Sequence, residues 1–174
     1  FLEKIGLKLH VAWRNDKTRK GFSLIDRKGE RSITIIGKRL APKLNDNLDW
    51  GILKQMDGIF ITAGDPDIFI KARDCNILCA TPRVGLETIN DSKVFLDGLI
   101  GSNLDPDESY NLNELSIKPR LIIKTEGEKG GLLIPGGKYN AINSNKPKID
   151  SYGCGDSFAA GILYGLSSNW SISK

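Results

Sequence analysis

Two glycines separated by one residue precede an acidic residue near the end of the chain. The four residues read Gly153-Cys154-Gly155-Asp156, and the small and apolar stretch after them predicts a helix. Glycines let the backbone bend so that successive N–H groups point outward, and a following helix adds the positive end of its dipole. Such a corner attracts phosphate. Asp156 in the first turn would then lie beside a transferring phosphoryl group, where a general base has to be.

The same residues have a purely structural interpretation, because a tight turn with an Asp or Ser cap can also open a buried helix. The composition of the helix favours the chemical one. Residues 159–161 are Ala, Ala and Gly, and glycine costs about 1 kcal/mol in a helix interior, so this stretch predicts the close approach of another element. Apolar residues spaced at i, i+4 and i+8 predict one face packed on a core, namely Phe158, Ile162 and Leu166.

This segment resembles the C-terminal signature of the ribokinase-like (PfkB) family of carbohydrate kinases, Asp-Thr-x-Gly-Ala-Gly-Asp-Ser-Phe. Ser151 stands where the family has Thr and keeps the hydroxyl. Cys154 stands where it has Ala and keeps the small size and the backbone N–H. The remaining matches are Asp150, Gly153, Gly155, Asp156, Ser157 and Phe158.

The resemblance implies a role for each of these positions. Asp156 would be the catalytic base. The anion hole would be formed by the amides of Gly153, Cys154 and Gly155. Asp150 would lie near a monovalent cation such as K⁺, which many members of the family bind.

A second glycine-rich segment follows a predicted buried strand at 121–125. In the family, a Thr-x-Gly-x-x-Gly segment at this point lies along the nucleotide, and Thr125, Gly127 and Gly130 match it. The loop follows the carboxyl end of its strand, where open α/β sheets place their ligands. A surface hairpin remains the alternative, because the glycines and Pro135 that follow make turns expected on composition alone.

A third, incomplete match concerns magnesium. The family has an Asn-x-x-Glu motif that organises water around magnesium and phosphate, and Asn103 fits its first position. The residue three places on is Pro106, and the nearby acids are Asp105, Asp107 and Glu108. Their oxygens suit a hard cation, and the sequence does not decide which of them replaces the glutamate. An Asx turn before the proline accounts for the same residues without function.

Bulk properties exclude several classes of protein. The chain has 174 residues, 40% of them hydrophobic, and a net charge of +4, which fits one globular domain and is too mild for a nucleic-acid surface. Hydrophobic runs are too short to span a membrane. Three cysteines and one histidine make a zinc site improbable and fit reduced thiols, so a cytoplasmic location is expected.

Hydrophobic patterning predicts β structure first and an α/β alternation afterwards. Residues 1–40 are expected to form a β meander, which by the resemblance would be partly a lid, and residues 41–174 an α/β core. The expected strands are 7–12, 18–25, 31–36, 58–62, 77–80, 94–100 and 121–125, and the expected helical segments are 66–74, 86–90 and 111–115. This alternation predicts a largely parallel sheet with right-handed crossovers.

The resemblance covers nearly the whole chain. It implies a three-layer αβα ribokinase-like core with a small β-sheet lid, to which the hairpin at 28–31 would contribute. It also implies that the family's N-terminal part would precede Phe1 and that its C-terminal helices would follow Lys174. Most residues that contact the sugar lie in that N-terminal part.

The expected activity is therefore the ATP-dependent phosphorylation of a hydroxyl on a sugar or sugar-like small molecule. ATP and Mg²⁺ are the expected cofactors. A nucleoside kinase and a non-catalytic nucleotide- or sugar-binding regulator of the same fold remain alternatives. No nucleic acid or membrane partner is expected, and the resemblance allows a homodimer through the β lid.

Overall fold

Eight strands form two separate sheets in the part of the chain that the computed structural model describes, which is residues 1–27, 31–142 and 152–172. The strands are β1 (Lys20–Ile25), β2 (Arg31–Ile36), β3 (Gly58–Ile61), β4 (Ile77–Ala80), β5 (Gly98–Ser102), β6 (Leu121–Thr125), β7 (Gly131–Ile134) and β8 (Gly137–Tyr139). Strands β1 and β2 pair only with each other, and β3 to β8 form one sheet in sequence order.

In these described ranges, three α-helices accompany the strands: α1 (Pro66–Ala72), α2 (Leu86–Ser92) and α3 (Cys154–Ser167). Short 3₁₀ helices fill many of the connections. They are Glu3–Ile5, Trp50–Gln55, Pro82–Val84, Pro106–Glu108, Leu112–Glu114 and Gly127–Lys129. Among the described residues, no helix combines the length and the hydrophobicity that crossing a bilayer requires.

The larger sheet is mixed, with β3, β4, β5 and β6 parallel and β7 and β8 antiparallel. Consecutive side chains in a strand point to opposite faces, so each buried strand serves two cores. In β4, Leu78 and Ala80 pack in a core with α1 and α2, while Ile77 and Cys79 pack in a second core with α3. The result is three layers with the sheet in the middle.

Helix α3 lies on its face of the sheet as its apolar stripe predicted. Phe158, Ile162 and Leu166 are half-buried in the second core. Of the small residues at 159–161, Ala159 alone is buried, and the other two are exposed. The predicted close approach is therefore wrong for Ala160 and Gly161 with respect to the described part of the chain.

Two sequence-based strand predictions are corrected by the structure. Residues 7–12 alternate in polarity but find no strand to pair with among the described residues, so the expected meander is a two-stranded hairpin. The strand expected at 94–100 is β5, Gly98–Ser102. Val94 and Leu96 before it are buried, but Phe95 is exposed. Asp97 N donates to Leu78 O (2.8 Å), Leu78 N donates to the side chain of Asp97 (2.9 Å), and the paired register begins at the next residue. The division into a lid at 1–40 and a core at 41–174 stays a prediction.

An ion pair fixes the segment before the hairpin to the loop after it. Arg14 contacts Asp46 through both terminal nitrogens, with Nη2–Oδ2 at 2.7 Å. The same carboxylate accepts from Lys43 N at 2.8 Å. The hydrogen bond from Arg14, followed by the one from the Lys43 amide, holds the pKa of Asp46 below its usual value.

Candidate active site

The start of α3 leaves backbone N–H groups without acceptors in the helix. Gly153 is the N-cap and has a left-handed φ of 76°, a conformation that glycine adopts without steric cost. No side chain caps this end, and the first helical hydrogen bond runs from Ser157 N to Gly153 O at 2.9 Å. The amides of Cys154, Gly155 and Asp156 are therefore free of intrahelical partners, and they carry the positive end of the helix dipole.

A cavity of about 290 Å³ opens at this helix end. Its walls come from the carboxyl ends of β3, β4, β5 and β6 and from the first turn of α3, which is where open α/β sheets bind ligands. Gly155 and Asp156 line it, and Thr125 does so from the end of β6. Asp156 is exposed and has no ion pair or side-chain hydrogen bond with the described residues. Gly153 and Cys154 lie next to the lining without being part of it.

The described residues give no structural reason for a glycine at position 155. Its φ is not left-handed, and a Cβ built on it would meet no atom of the described residues within 4 Å. An alanine would favour the helix by about 1 kcal/mol. What the glycine does provide is open space and an accessible amide on the cavity side of the helix.

Among the three acids after Asn103, only Glu108 faces the cavity. Its carboxylate accepts hydrogen bonds from Ser102 N (2.6 Å) and Arg83 Nε (3.0 Å), and its side chain is only 11% exposed. A Cβ on Gly101 would lie 2.7 Å from Glu108 Oε2, so the glycine makes room for this carboxylate. Asp107, by contrast, is 81% exposed and outside the lining.

The Asn103 side chain is engaged elsewhere. Its Nδ2 donates to Glu126 Oε1 at 2.8 Å, and the residue does not line the cavity. The other acid, Asp105, caps the 3₁₀ helix Pro106–Glu108 and contacts Arg83. The prediction of an Asn103 contact to magnesium or phosphate therefore has no support from its position, and no structural observation tests it directly.

The predicted nucleotide loop connects β6 to β7 as a hairpin around the 3₁₀ helix Gly127–Lys129, which is the alternative the sequence left open. Both glycines of the motif have positive φ, 59° at Gly127 and 90° at Gly130. A Cβ on Gly130 would lie 2.0 Å from the carbonyl oxygen of Tyr139, so this glycine is required by the packing of β8. Of the three motif residues, only Thr125 reaches the cavity.

Sequence reasoning missed part of the lining. Thr62 and Thr81 follow β3 and β4 directly, and their position at the carboxyl ends of parallel strands could have indicated them. Arg83, which follows β4 and pairs with Glu108, is a further lining residue. Arg39 comes from the segment after the hairpin, and no local pattern predicts its arrival in this cavity.

The three free cysteines differ in reactivity. Burial raises the pKa of Cys79 to about 12 and raises that of Cys75 as well, which keeps both as unreactive thiols. Cys154 is exposed. The described residues contain no group of three or more His, Cys, Asp or Glu side chains that could hold a metal ion. Asp150, with its predicted monovalent cation, lies outside the described residues.

Comparison with known proteins shows similarity in fold at low sequence identity. No protein-family model and no curated protein matched the chain. Ribokinase from Thermotoga maritima matches with a TM-score of 0.63 at 18% identity over 88% of this chain. Ribokinase from Arabidopsis thaliana, in a complex with ribose and ATP, matches with a TM-score of 0.62 at 16% identity over 91% of this chain.

An uncharacterised sugar kinase from Pyrococcus horikoshii matches with a TM-score of 0.58 at 14% identity over 87% of this chain. The matches cover only 57%, 59% and 57% of the respective kinases. The predicted fold class is confirmed: the chain has an α/β ribokinase-like core, with the similarity extending over most of its length.

Proposed function

We propose that the protein transfers the γ-phosphoryl group of ATP to a hydroxyl of a sugar or sugar-like small molecule. The observation that carries this proposal is the cavity at the start of α3. There, the exposed carboxylate of Asp156 lies beside backbone amides that have no partner within the helix. Gly155 leaves open space next to these amides. The similarity to a ribokinase that binds ribose and ATP supports the same conclusion.

The residues that line the cavity and those beside it divide the steps of the reaction between them. The acceptor oxygen attacks the γ-phosphorus, the bond from that phosphorus to the bridging oxygen breaks, and ADP leaves with the electron pair. Asp156 accepts the proton of the attacking hydroxyl. The amides of Gly153, Cys154 and Gly155 stabilise the negative charge that grows on the phosphoryl oxygens in the transition state. Thr125 and the loop at Gly127 and Gly130 would contact the nucleotide.

The donor set fits magnesium as the companion of ATP. The cavity offers few carboxylates, and magnesium in kinase sites takes one or two of them together with water and phosphate oxygens. Glu108 would hold the ion through water, since its carboxylate faces the cavity and is fixed by Ser102 and Arg83. When bound, magnesium neutralises phosphate charge. A monovalent cation near Asp150 remains part of the proposal.

A phosphorylation screen tests this function directly. The complete protein is incubated with ATP, Mg²⁺ and a panel of ketoses, aldoses, sugar acids and nucleosides, and products are identified by mass spectrometry together with ADP release. Acceptor-dependent ADP release with a product heavier by one phosphoryl group is expected. A nucleoside as the sole acceptor would correct the substrate class, and the absence of any phosphorylated product would contradict the proposal.

A non-catalytic regulator is the second candidate, and the diversion of Asn103 to Glu126 favours it. Calorimetry separates the two functions. A regulator would bind ATP and a sugar without forming a product, whereas a kinase would bind both and form the phosphorylated sugar. The location that we propose is the cytoplasm, because three free thiols suit a reducing compartment.

The hairpin of β1 and β2 supports a homodimer as part of the same proposal. Isolated two-stranded hairpins are marginally stable, and this one exposes apolar side chains on both faces. These residues are Phe22, Leu24, Ile25, Ile33, Ile35 and Ile36. A second copy of the hairpin would cover one face. Light scattering of the complete protein should show a dimer that Phe22→Lys converts to monomer, and a monomeric parent protein would contradict this assembly.

A further inference from the structure

Arg39 brings a positive charge without a carboxylate partner into the cavity. Arg83 lines the same cavity but contacts Asp105, Asp107 and Glu108, so its charge is compensated. Arg39 forms no ion pair or side-chain hydrogen bond with the described residues, and it is the cation that remains for a ligand.

Arg39 is exposed overall but partly desolvated, and other positive charges act on its guanidinium. Burial lowers the pKa of Arg39, and the positive charges of Arg19 and Arg83 lower it further. The guanidinium groups of Arg39 and Arg83 thus repel each other at one cavity. Of the two acids in the lining, Glu108 is engaged by Arg83, and Asp156 forms no ion pair with Arg39. An anionic ligand group would relieve this repulsion.

The positive charge continues outside the cavity. Arg39 also lines a more open hollow of about 530 Å³, together with Lys17, Lys38 and Lys43, and a single carboxylate, Asp16. Arg14 borders this hollow too, but it is paired with Asp46. Clefts lined by one sign of charge raise the local concentration of ligands of the opposite sign. An anion would thus be attracted along a path that ends at Arg39.

The position of Arg39 in the cavity favours a contact with the phosphoryl acceptor rather than with the nucleotide. Its electrostatic neighbour Arg83 follows β4, and the cavity wall near that strand includes Thr62 and Thr81, from the ends of β3 and β4. The loop proposed to bind nucleotide follows β6, two strands further along the sheet, a distance of about 10 Å.

We propose that the phosphoryl acceptor carries an anionic group, a carboxylate or a phosphate ester, and that Arg39 binds this group. The inference rests on the proposed kinase function and specifies its substrate class. A guanidinium presents paired N–H donors that match either anion, so the structure names the shared chemistry and the experiment separates the two sources.

Steady-state kinetics of the complete protein provide the test. The acceptors are neutral aldoses and ketoses, the corresponding sugar acids, and the corresponding sugar phosphates. Three variants are compared: Arg39→Gln, Arg39→Lys and, as a control, Lys118→Gln. Lys118 is exposed and precedes β6 at the opposite end of the strand from the cavity.

The parent protein should prefer one class of anionic acceptor to its neutral counterpart by about tenfold or more in kcat/KM. Arg39→Gln should lose about tenfold to a hundredfold for that acceptor, mainly through KM, with the KM of ATP unchanged. Arg39→Lys should recover part of the loss, and Lys118→Gln should match the parent.

Two results would overturn the inference while leaving the kinase function intact. One is equal turnover of neutral and anionic acceptors, and the other is an Arg39→Gln variant whose defect lies in the KM of ATP. If no acceptor were phosphorylated, the kinase proposal itself would fail. Calorimetric titration with the same acids and phosphates would then decide, because binding that Arg39→Gln does not weaken contradicts the role of Arg39.

Discussion

Gly155 is the residue at which structural and chemical requirements can be separated most cleanly. Gly153 needs its left-handed backbone and Gly130 needs the absence of a side chain against Tyr139, so either glycine could be retained for folding alone. Gly155 has neither constraint from the described residues. Its cost to the helix is therefore understandable as the means of keeping the amides accessible to a phosphate.

We predict that Gly155→Ala separates stability from activity. The free energy of unfolding should stay the same or rise by up to about 1 kcal/mol, because alanine is the better helix former. The rate of phosphotransfer should fall by about tenfold or more, since the methyl group enters the space above the amides. Urea denaturation and initial-rate assays measure the two effects.

Gly161→Ala is the matched control in the same helix. A Cβ at this position also meets no described atom within 4 Å, and the residue is outside the cavity. It should gain similar stability and keep full activity. Equal activity of the two alanine variants would show that Gly155 does not serve the reaction.

Local sequence indicated some functional residues and could not indicate others. The Gly153 to Asp156 segment is contiguous, so its pattern reveals a helix start with an acid in the first turn. Glu108 was one of three acids with the same chemistry, and only the room left by Gly101 and the hydrogen bond from Ser102 N distinguish it. Arg39 depends on how a distant segment folds over the sheet, which periodicity does not encode.

At the scale of secondary structure elements, the carboxyl ends and the amino ends of the parallel strands serve different purposes. The carboxyl ends of the strands surround the cavity. At the amino ends, the buried carboxylate of Asp97 accepts hydrogen bonds from Leu78 N (2.9 Å) and from Arg73 Nη1 (2.9 Å). It also lies 3.6 Å from Arg120 Nη2. This carboxylate joins the beginnings of β4, β5 and β6.

We predict that Asp97→Asn lowers the free energy of unfolding by about 1–3 kcal/mol, because it removes the charge from hydrogen bonds that a carboxylate strengthens. Activity per folded molecule should not change, since the cavity lies at the carboxyl ends of the strands and Asp97 at their amino ends. Asp74→Asn, an exposed neighbour, should change stability by less than about 0.5 kcal/mol. Equal unfolding midpoints for both variants would contradict the assigned role of Asp97.

How well each strand could be predicted depends on whether its apolar pattern coincides with a partner strand in the fold. Strand β4 is a continuous apolar run and β6 begins with three apolar residues, and the expected bounds 77–80 and 121–125 agree with the structure. Strand β5 begins later than its apolar run, because Asp97 binds Leu78 partly through its side chain and the paired register starts only at Gly98. Residues 7–12 show that an alternating pattern is insufficient without a partner strand.

At the scale of the whole molecule, the chain spans less than two thirds of the kinases that it matches. The described part nevertheless brings together the helix amides, the proposed base and a cationic approach to them. Its acceptor specificity would depend on Arg39 from the region after the hairpin, and its catalysis on the first turn of α3. Each can therefore be tested by a substitution that leaves the other unchanged.

The most direct measurement is single-turnover phosphotransfer by the complete protein carrying Asp156→Asn, with the best acceptor from the screen. We predict a rate lower by about a hundredfold or more, since general-base catalysis contributes about 10²–10⁴. Calorimetric affinity for ATP should remain unchanged. A rate within about tenfold of the parent would contradict the assignment of Asp156 as the base, and with it the central claim about this site.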